Sequence, residues 1–436
     1  MIDNSIAVPG LAHRAMAPEL DLLADLMGGT TAMRRAGQRW LPRESNESWT
    51  AWRARLGRSV LFNGLSRTVQ ALSGRPFSRP VALADAAPPL MALADSVDGD
   101  GMGVGSFAGM LLRALLTDGM VHILVDRPRA GGEPYFVLLP AARLIGARRD
   151  GGGLTDIRIR ETRARPQGRF GEEAVEAVRH IDRKRWSLWH ATRSGWRQHE
   201  EGAHDFGRVP LVTLNTAPLG FMRARPPLID LAWLNLSHWQ SASDQRHILH
   251  VARVPILFGR ALQVSDGEIE IGPNRLILAD DPAADLRFVE HSGAAIAAGR
   301  QDLVDLEDRM AVLGLEMMRH RPGETTATGR AIDAAQTHAA LNAIVQTLED
   351  GLSQAFRMAA TFLGLEAGAA GRIVISRQFP VRDEQAAEAD LLLRARLAGE
   401  IGREAFLAEI ARRGILGSAP AAMPTMNPSN KPSERT

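Results

Sequence analysis

The chain reads as an α+β protein whose C-terminal half is dominated by long helices. Two patterns predict this. Leu303, Leu306, Met310, Leu313 and Met317 recur at spacings of three and four over 297–318, the seam of a helix packed lengthwise on another. Between them and the N-terminal third, "PYFVLLP", "LTDIRIRET", "AVEAVRHID", "RWSLWHA" and "VPLVTLN" are short strand-like runs parted by Gly, Pro and Arg-rich turns, as an antiparallel sheet requires.

From the start, Trp49, Trp52, Leu56, Val60, Leu61 and Val69 stand at helical spacing across 46–73, and Gly74 with Pro76 stops the pattern. The spacing predicts one amphipathic helix. A second is expected over 106–118, with Ser106 as N-cap and Gly119 as C-terminal stop, leading into the buried strand "MVHILVD". The glycine-rich 99–109 stretch follows no strand, so it fails the dinucleotide-binding context and reads as a flexible loop. Eight arginines between Arg143 and Arg169 face only Asp150, Asp156 and Glu161. That excess reads either as a solvated sheet face or as a phosphate-facing patch.

After Pro226 and Pro227 a helix is expected over 228–253, with Ile229, Ala232, Leu236 and Trp239 on its apolar stripe. Its second half, "SASDQRHILH", loses that stripe and should face something polar. Residues 254–296 return to short strands. The helix of 297–318 follows. Past a polar break, 328–363 carries Leu341, Val345, Leu348, Leu352, Ala355, Ala359 and Phe362 on one stripe, a helix about 54 Å long at 1.5 Å per residue. The strand-like "RIVISRQF", two helical stretches and a Pro, Ser and Asn-rich tail after Gly417 complete the chain.

Composition bounds the chemistry. With 436 residues and 45% hydrophobic content the chain can bury a large core. No apolar run reaches the length of a membrane span and no signal-like segment opens it, which predicts a soluble intracellular protein. The absence of cysteine excludes disulfides, thiolate metal sites and cysteine nucleophiles. Only Lys184 and Lys431 are lysines, and neither lies in a glycine-rich setting, so a P-loop has no lysine. Asp205, Phe206 and Gly207 mimic a kinase magnesium triplet without its companions. His238, His247 and His250 share one helix but lack an intervening acid in a metalloprotease arrangement. Trp186 and Trp189, three apart on a strand, fall on opposite faces, which favours packing over base stacking. No cofactor or metal is expected.

Taken in order, "WRARLGRSVLFNGLSRTVQALSGRPFSRPV", "GSFAGMLLRALLTDGMVHILVDRP", "PYFVLLPAARLIG", "FGRVPLVTLN", "LNLSHWQSASDQRHILHVARVPILFG" and "ETTATGRAIDAAQTHAALNAIVQTLEDGLSQAFRMAATFLGL" make the sequence resemble the portal proteins of tailed bacteriophages, in the siphophage-type branch. The resemblance implies an N-terminal arm (1–45), a wing of helices and antiparallel sheet (46–227), stem helices (228–253 and 297–318) flanking a clip (254–296), a tunnel loop (319–330), a long kinked wing helix and strand (331–380), crown helices (381–416) and a disordered tail (417–436). It also implies a dodecameric ring at one capsid vertex, a conduit for double-stranded DNA in packaging and ejection, and contacts with the terminase large subunit, a head-tail connector and the major capsid protein. No membrane is involved, and the protein would reside in the virion, or in host cytoplasm during assembly. The short crown and the tail after Gly417 depart from the family pattern.

A conduit for a polyanion should not grip phosphates, because every Arg–phosphate contact adds affinity through counterion release. In 297–318, Asp302, Asp305, Glu307, Asp308 and Glu316 outnumber Arg300 and Arg309. Asp302, Asp305, Asp308 and Glu316 are therefore the channel-lining candidates, although an acidic helix can equally be a solvated face and Asp305 can pair with Arg309 one turn on. The loop inverts the sign. Arg319, His320, Arg321, Glu324, Thr325, Thr326 and Arg330 make a weakly basic collar for touching DNA, and the plainer reading is a helix connection capped by Thr325, Thr326 or Thr328. In the clip, Asp266, Glu268, Glu270 and Asn274 are the candidate partner contacts. The rival functions are an enzyme using carboxylate and histidine chemistry around His238–His250, or a non-viral helical scaffold.

Overall fold

The computed structural model describes residues 5–128, 132–204, 206–252, 256–260, 282–289, 294–316, 327–377, 392–398 and 400–406. It is α+β, as expected, and divides into two units, residues 1–375 and 376–436.

Helices α1 (Leu11–Met27) and α2 (Gly29–Ala36) open the chain. Leu20, Leu22, Leu23, Leu26 and Met33 are buried, and the Gly10 N–H is bonded to the Ile145 carbonyl at 2.7 Å, so 11–36 packs against the rest of the unit. The single helix expected over 46–73 is two, α3 (Trp49–Arg58) and α4 (Gly64–Gly74). Polar side chains make the break. Ser59 turns extended and donates its hydroxyl to the Arg55 carbonyl, while Asn63 accepts the Ser66 N–H as N-cap.

Strand β1 (Ala82–Ala86) and α5 (Pro88–Asp95) lead to α6 (Val104–Asp118). The N-cap of α6 is Gly103, not Ser106, and the expected 99–109 loop is helical from Val104 on. Upstream, Asp98 orders the turn by accepting the N–H groups of Asp100 and Met102, each at 2.9 Å. Gly119 ends α6 at φ 72°, where a Cβ would lie 2.6 Å from the Arg225 carbonyl oxygen.

β2 (Met120–Asp126) is the centre of a three-stranded antiparallel sheet, between β3 (Tyr135–Pro140) and β9 (Leu211–Asn215). Both its faces are covered, which is why its sequence is a continuous apolar run. On one face Phe136, registered opposite Val125, meets Phe107 of α6 at 6.1 Å and the edge of Phe356 at 5.2 Å. On the other, Leu124 and Leu139 join Leu144, Ile157, Ile159 and Ile181 of the second sheet. His122 is fully buried there, its Nδ1 2.9 Å from the Thr213 hydroxyl. Burial drives its pKa down to about 3 and pushes the Asp118 carboxyl up to about 7.

The second sheet is a five-stranded meander of β4 (Leu144–Asp150), β5 (Gly153–Gln167), β6 (Gly171–Asp182), β7 (Arg185–Thr192) and β8 (Gly195–Ala203). Several of its arginines are paired. Arg148 bonds Asp156, Arg165 bonds Glu173, Arg163 and Arg179 share Glu161, and Arg158 binds the carbonyls of Ile6 and Val8. Of these carboxylates Glu173 lies on β6, while Asp156 and Glu161 lie on β5 itself. Trp186 packs on the apolar face, while Trp189 donates to Ser187. Phe206, from the kinase-like triplet, stacks on Phe362 at 4.3 Å.

The short pair β10 (Pro218–Gly220) and β11 (Arg223–Ala224) precedes α7 (Ile229–Ala252). β12 (Ile256–Arg260) pairs antiparallel with β13 (Asp285–Val289), and α8 (Ala294–Glu316) follows. Next, α9 (Ala327–Phe362) runs as one 36-residue helix. It starts before the expected 331, so 327–330 are its first turn and not part of a loop. Leu341, Val345, Leu348, Leu352, Ala355 and Ala359 are all fully buried, as their stripe predicts. β14 (Ala370–Val374) pairs with β1, and α9 also satisfies the N–H groups along this chain segment: Ser353 accepts from Ile373 and buried Glu349 accepts from Ile375. In the second unit, 392–397 and 403–406 are helical, within the stretch where helices were expected. None of the described helices is long and apolar enough to cross a membrane.

Candidate functional site

The region that the sequence singles out centres on α7 and α8, which lie side by side and antiparallel. Ties run down the pair in opposite chain order. His238 Nε2 lies 3.2 Å from Glu307, the Ser241 hydroxyl donates to Asp302, and Gln245 donates to the Ile296 carbonyl at 2.9 Å. A Cβ on Gly299 would collide with the Gln245 amide, so glycine lets the helices close at that level. On the apolar side Leu306 and Met310 are buried, with Leu303 and Leu313 partly so, and Gly64 of α4 meets the Met310 sulfur. The predicted seam is real, but polar bonds reinforce it.

These ties also explain why "SASDQRHILH" has no apolar stripe. The Ser243 hydroxyl lies 2.9 Å from the Ser59 hydroxyl oxygen, and Asp244 accepts from Arg55, which is 4% exposed. Arg55 also grips both oxygens of Glu47 at 2.8 Å and the Pro42 carbonyl. Those bonds hold the Glu47 carboxyl below the usual range. Higher up, Asn235 accepts the Leu65 N–H and donates to the Phe62 carbonyl, fixing the start of α4 against α7.

The channel-lining candidates separate accordingly. Asp302 is engaged by Ser241. Asp305 accepts the Gln301 amide at 2.8 Å, one turn back, instead of the expected pairing forward with Arg309. Asp305 and Asp308 are exposed, as is Val304 between the acidic positions. Glu316 is the last residue of α8. Arg319, His320, Arg321, Glu324, Thr325 and Thr326 of the loop lie outside the described residues, as do Asp266, Glu268, Glu270 and Asn274. Arg330 sits in the first turn of α9.

The histidines do not converge. His238 packs against Phe62 at 5.2 Å and faces Glu307, His247 approaches Arg58 at 3.5 Å, and His250 is exposed. No group of three or more metal-ligating side chains occurs among the described residues. Sequence reading missed Arg55, Asn235, Glu349 and Ser353, whose partners lie far along the chain.

Residues 227–363 match a family described as a domain of unknown function, DUF4055, a span that begins just before α7 and ends just after α9. No curated protein matches the chain. Among solved structures, a chain from the virion of the native gene transfer agent particle is similar at 14% identity, over 80% of this chain and 88% of that one, with a TM-score of 0.40. A chain in the neck of the native particle, computed with C12 symmetry, is 16% identical over 81% and 89%, with a TM-score of 0.43. One in the neck of the empty particle, computed with C6 symmetry, is 14% identical over 80% and 89%, with a TM-score of 0.46.

Proposed function

We propose that the chain is a portal subunit, a non-enzymatic protein that closes into a ring of about twelve copies on the pattern of the family it resembles. The ring surrounds double-stranded DNA at one vertex of a phage-like virion, and the protein belongs to the head-tail structural apparatus. The carrying observation is the α7–α8 pair: helices of 24 and 23 residues, antiparallel, cross-tied by polar bonds, with Asp305 and Asp308 left on the exposed side.

A rigid strut of this kind repeats identically from copy to copy. Its carboxylates, Asp302, Asp305, Asp308 and Glu316, line the channel and keep a duplex from adhering. The segment 319–330, the break after α8 together with the first turn of α9, forms a narrow collar in which Arg319 and Arg321 touch phosphates briefly. The β12–β13 end, with Asp266, Glu268, Glu270 and Asn274, meets the terminase large subunit and the head-tail connector. The sheet-bearing body meets the major capsid protein.

Negative-stain imaging and mass measurement of the purified protein test this reading. Annular particles with an axial hole are expected. A protein that remains monomeric or dimeric at high concentration, with no annuli, is not a portal.

A further inference from the structure

The hairpin β5–β6 outruns its sheet. β4 pairs with β5 only as far as Ile159, and β7 pairs with β6 only as far as Ala177. Beyond those points a two-stranded ribbon stands alone, and every residue from Ala164 to Ala174 is exposed. Phe170 at its tip is 87% exposed, the most exposed of the large hydrophobic residues among those described, with the Arg169 guanidinium 5.0 Å above its ring. A lone two-stranded ribbon is marginal in water, and an aromatic held at its end gains nothing until something covers it.

A hollow lies near the base of the ribbon, where Leu144 pairs with Ile159. A cavity of about 350 Å³ opens between the start of α1, the beginning of β4 and the β10–β11 turn, walled by Met16, Leu20, Met120, Leu144, Phe221 and Met222. Its size falls at the lower end of small-molecule pockets, about 300–1,000 Å³, enough for one aromatic side chain and its flanking backbone. Three methionines let the wall adapt to that shape. The mouth is basic: Arg223 lines it and Arg149 sits 4.6 Å over Phe221, while burial and, after it, the Arg160 charge lower the pKa of His13 in the wall. Beside Phe170, Glu172 is exposed and has no partner among the described residues, whereas Glu173 takes Arg165.

We propose that Phe170 of one copy of this chain seats in the cavity between α1, β4 and β10–β11 of the next copy, with Glu172 meeting Arg223 at its rim. The ribbon cannot fill its own cavity. Leu144 of the wall pairs with Ile159, and Gln167 lies eight residues further along β5, about 26 Å away at 3.3 Å per residue. Knob and hole are different patches of the chain, so the contact is head-to-tail, which repeats into a ring or an open filament. The contact deepens the ring reading by naming one of its joints, and it rests on that reading only in requiring copies to meet.

The chain has no cysteine, so two single-cysteine variants test the contact directly. Arg169→Cys and Leu11→Cys, both at exposed positions, are mixed under oxidation. A disulfide-linked pair is expected from the mixture and from neither variant alone. Adding Phe170→Ala to the ribbon partner should cut its yield at least roughly tenfold, the usual loss at an anchor residue. Glu172→Arg should weaken association, and Arg223→Glu in the same chain should restore it. Cross-linking indifferent to Phe170, or annular assemblies without any mixed cross-link, overturns the contact and leaves the ring reading standing. A monomer at every concentration overturns both. A small apolar molecule retained in the cavity of purified protein would assign the hollow to that ligand and overturn the contact alone.

Discussion

The α6–β2–α9 core and the α3–α7–α8 joint hold their elements together by different means. In the core, Phe107, Phe136, Leu111, Leu352 and Phe356 bury apolar surface with no polar partner required. At the joint, Arg55, Ser59, Asn235, His238, Ser243 and Gln245 are buried or nearly so, and each has a partner on another element. Apolar contact tolerates small slips. A ladder of paired polar groups does not, because a slip of one turn leaves several buried groups unpaired at about 1–3 kcal/mol each. The joint therefore fixes helix register.

Phe356→Ala should give the largest loss, about 3–5 kcal/mol in urea unfolding, because it empties the meeting point of α6, β3 and α9. Arg55→Ala should cost about 3 kcal/mol by stranding Glu47. Replacing Arg55 and Glu47 together with apolar residues of similar size should cost less than Arg55→Ala. The reverse order would show that the joint is packed like the core and would erase the contrast.

The core also contains two groups with opposed pH dependence. His122 has its folded pKa lowered from 6.5 to about 3, so its contribution is complete above about pH 6.5 and is lost as pH falls toward 3. Asp118 is raised from 3.8 to about 7, so its contribution is complete below about pH 3.8 and is lost as pH rises through 7. Each slope is at most about 1.4 kcal/mol per pH unit. Between about pH 4.5 and 6.5, stability should rise with pH in Asp118→Asn and fall with pH in His122→Gln, with the parent chain between them. Equal slopes in all three would remove both groups from the linkage.

Ser243→Ala should cost about 1 kcal/mol by removing the hydroxyl–hydroxyl bond that ties Ser59 to α7, while Ser59 keeps the Arg55 carbonyl. Arg39→Ala, which breaks a solvent-exposed pair with Asp21, should stay within about 0.5 kcal/mol in the same assay. A larger effect there would extend the polar-register argument to the surface.

Much of the core was legible because its signals are local. The stripe from Leu341 to Ala359, the run of β2 and the stop at Gly119 depend on residues close enough to share one element. The α3–α4 break was hidden, since Ser59 and Asn63 act through side-chain bonds that compete with the helix. So was the ribbon, because nothing in β5 or β6 records where β4 and β7 end.

Sequence alone determined the α+β class, the long helices and the carboxylate excess on α8, because helical periodicity and charge are written residue by residue. Tertiary structure alone decided which polar groups are buried, which carboxylates remain free and where an uncovered aromatic and a hollow lie. Those depend on partners such as Arg55 and Asp244, 189 residues apart, and only folding sets their distance.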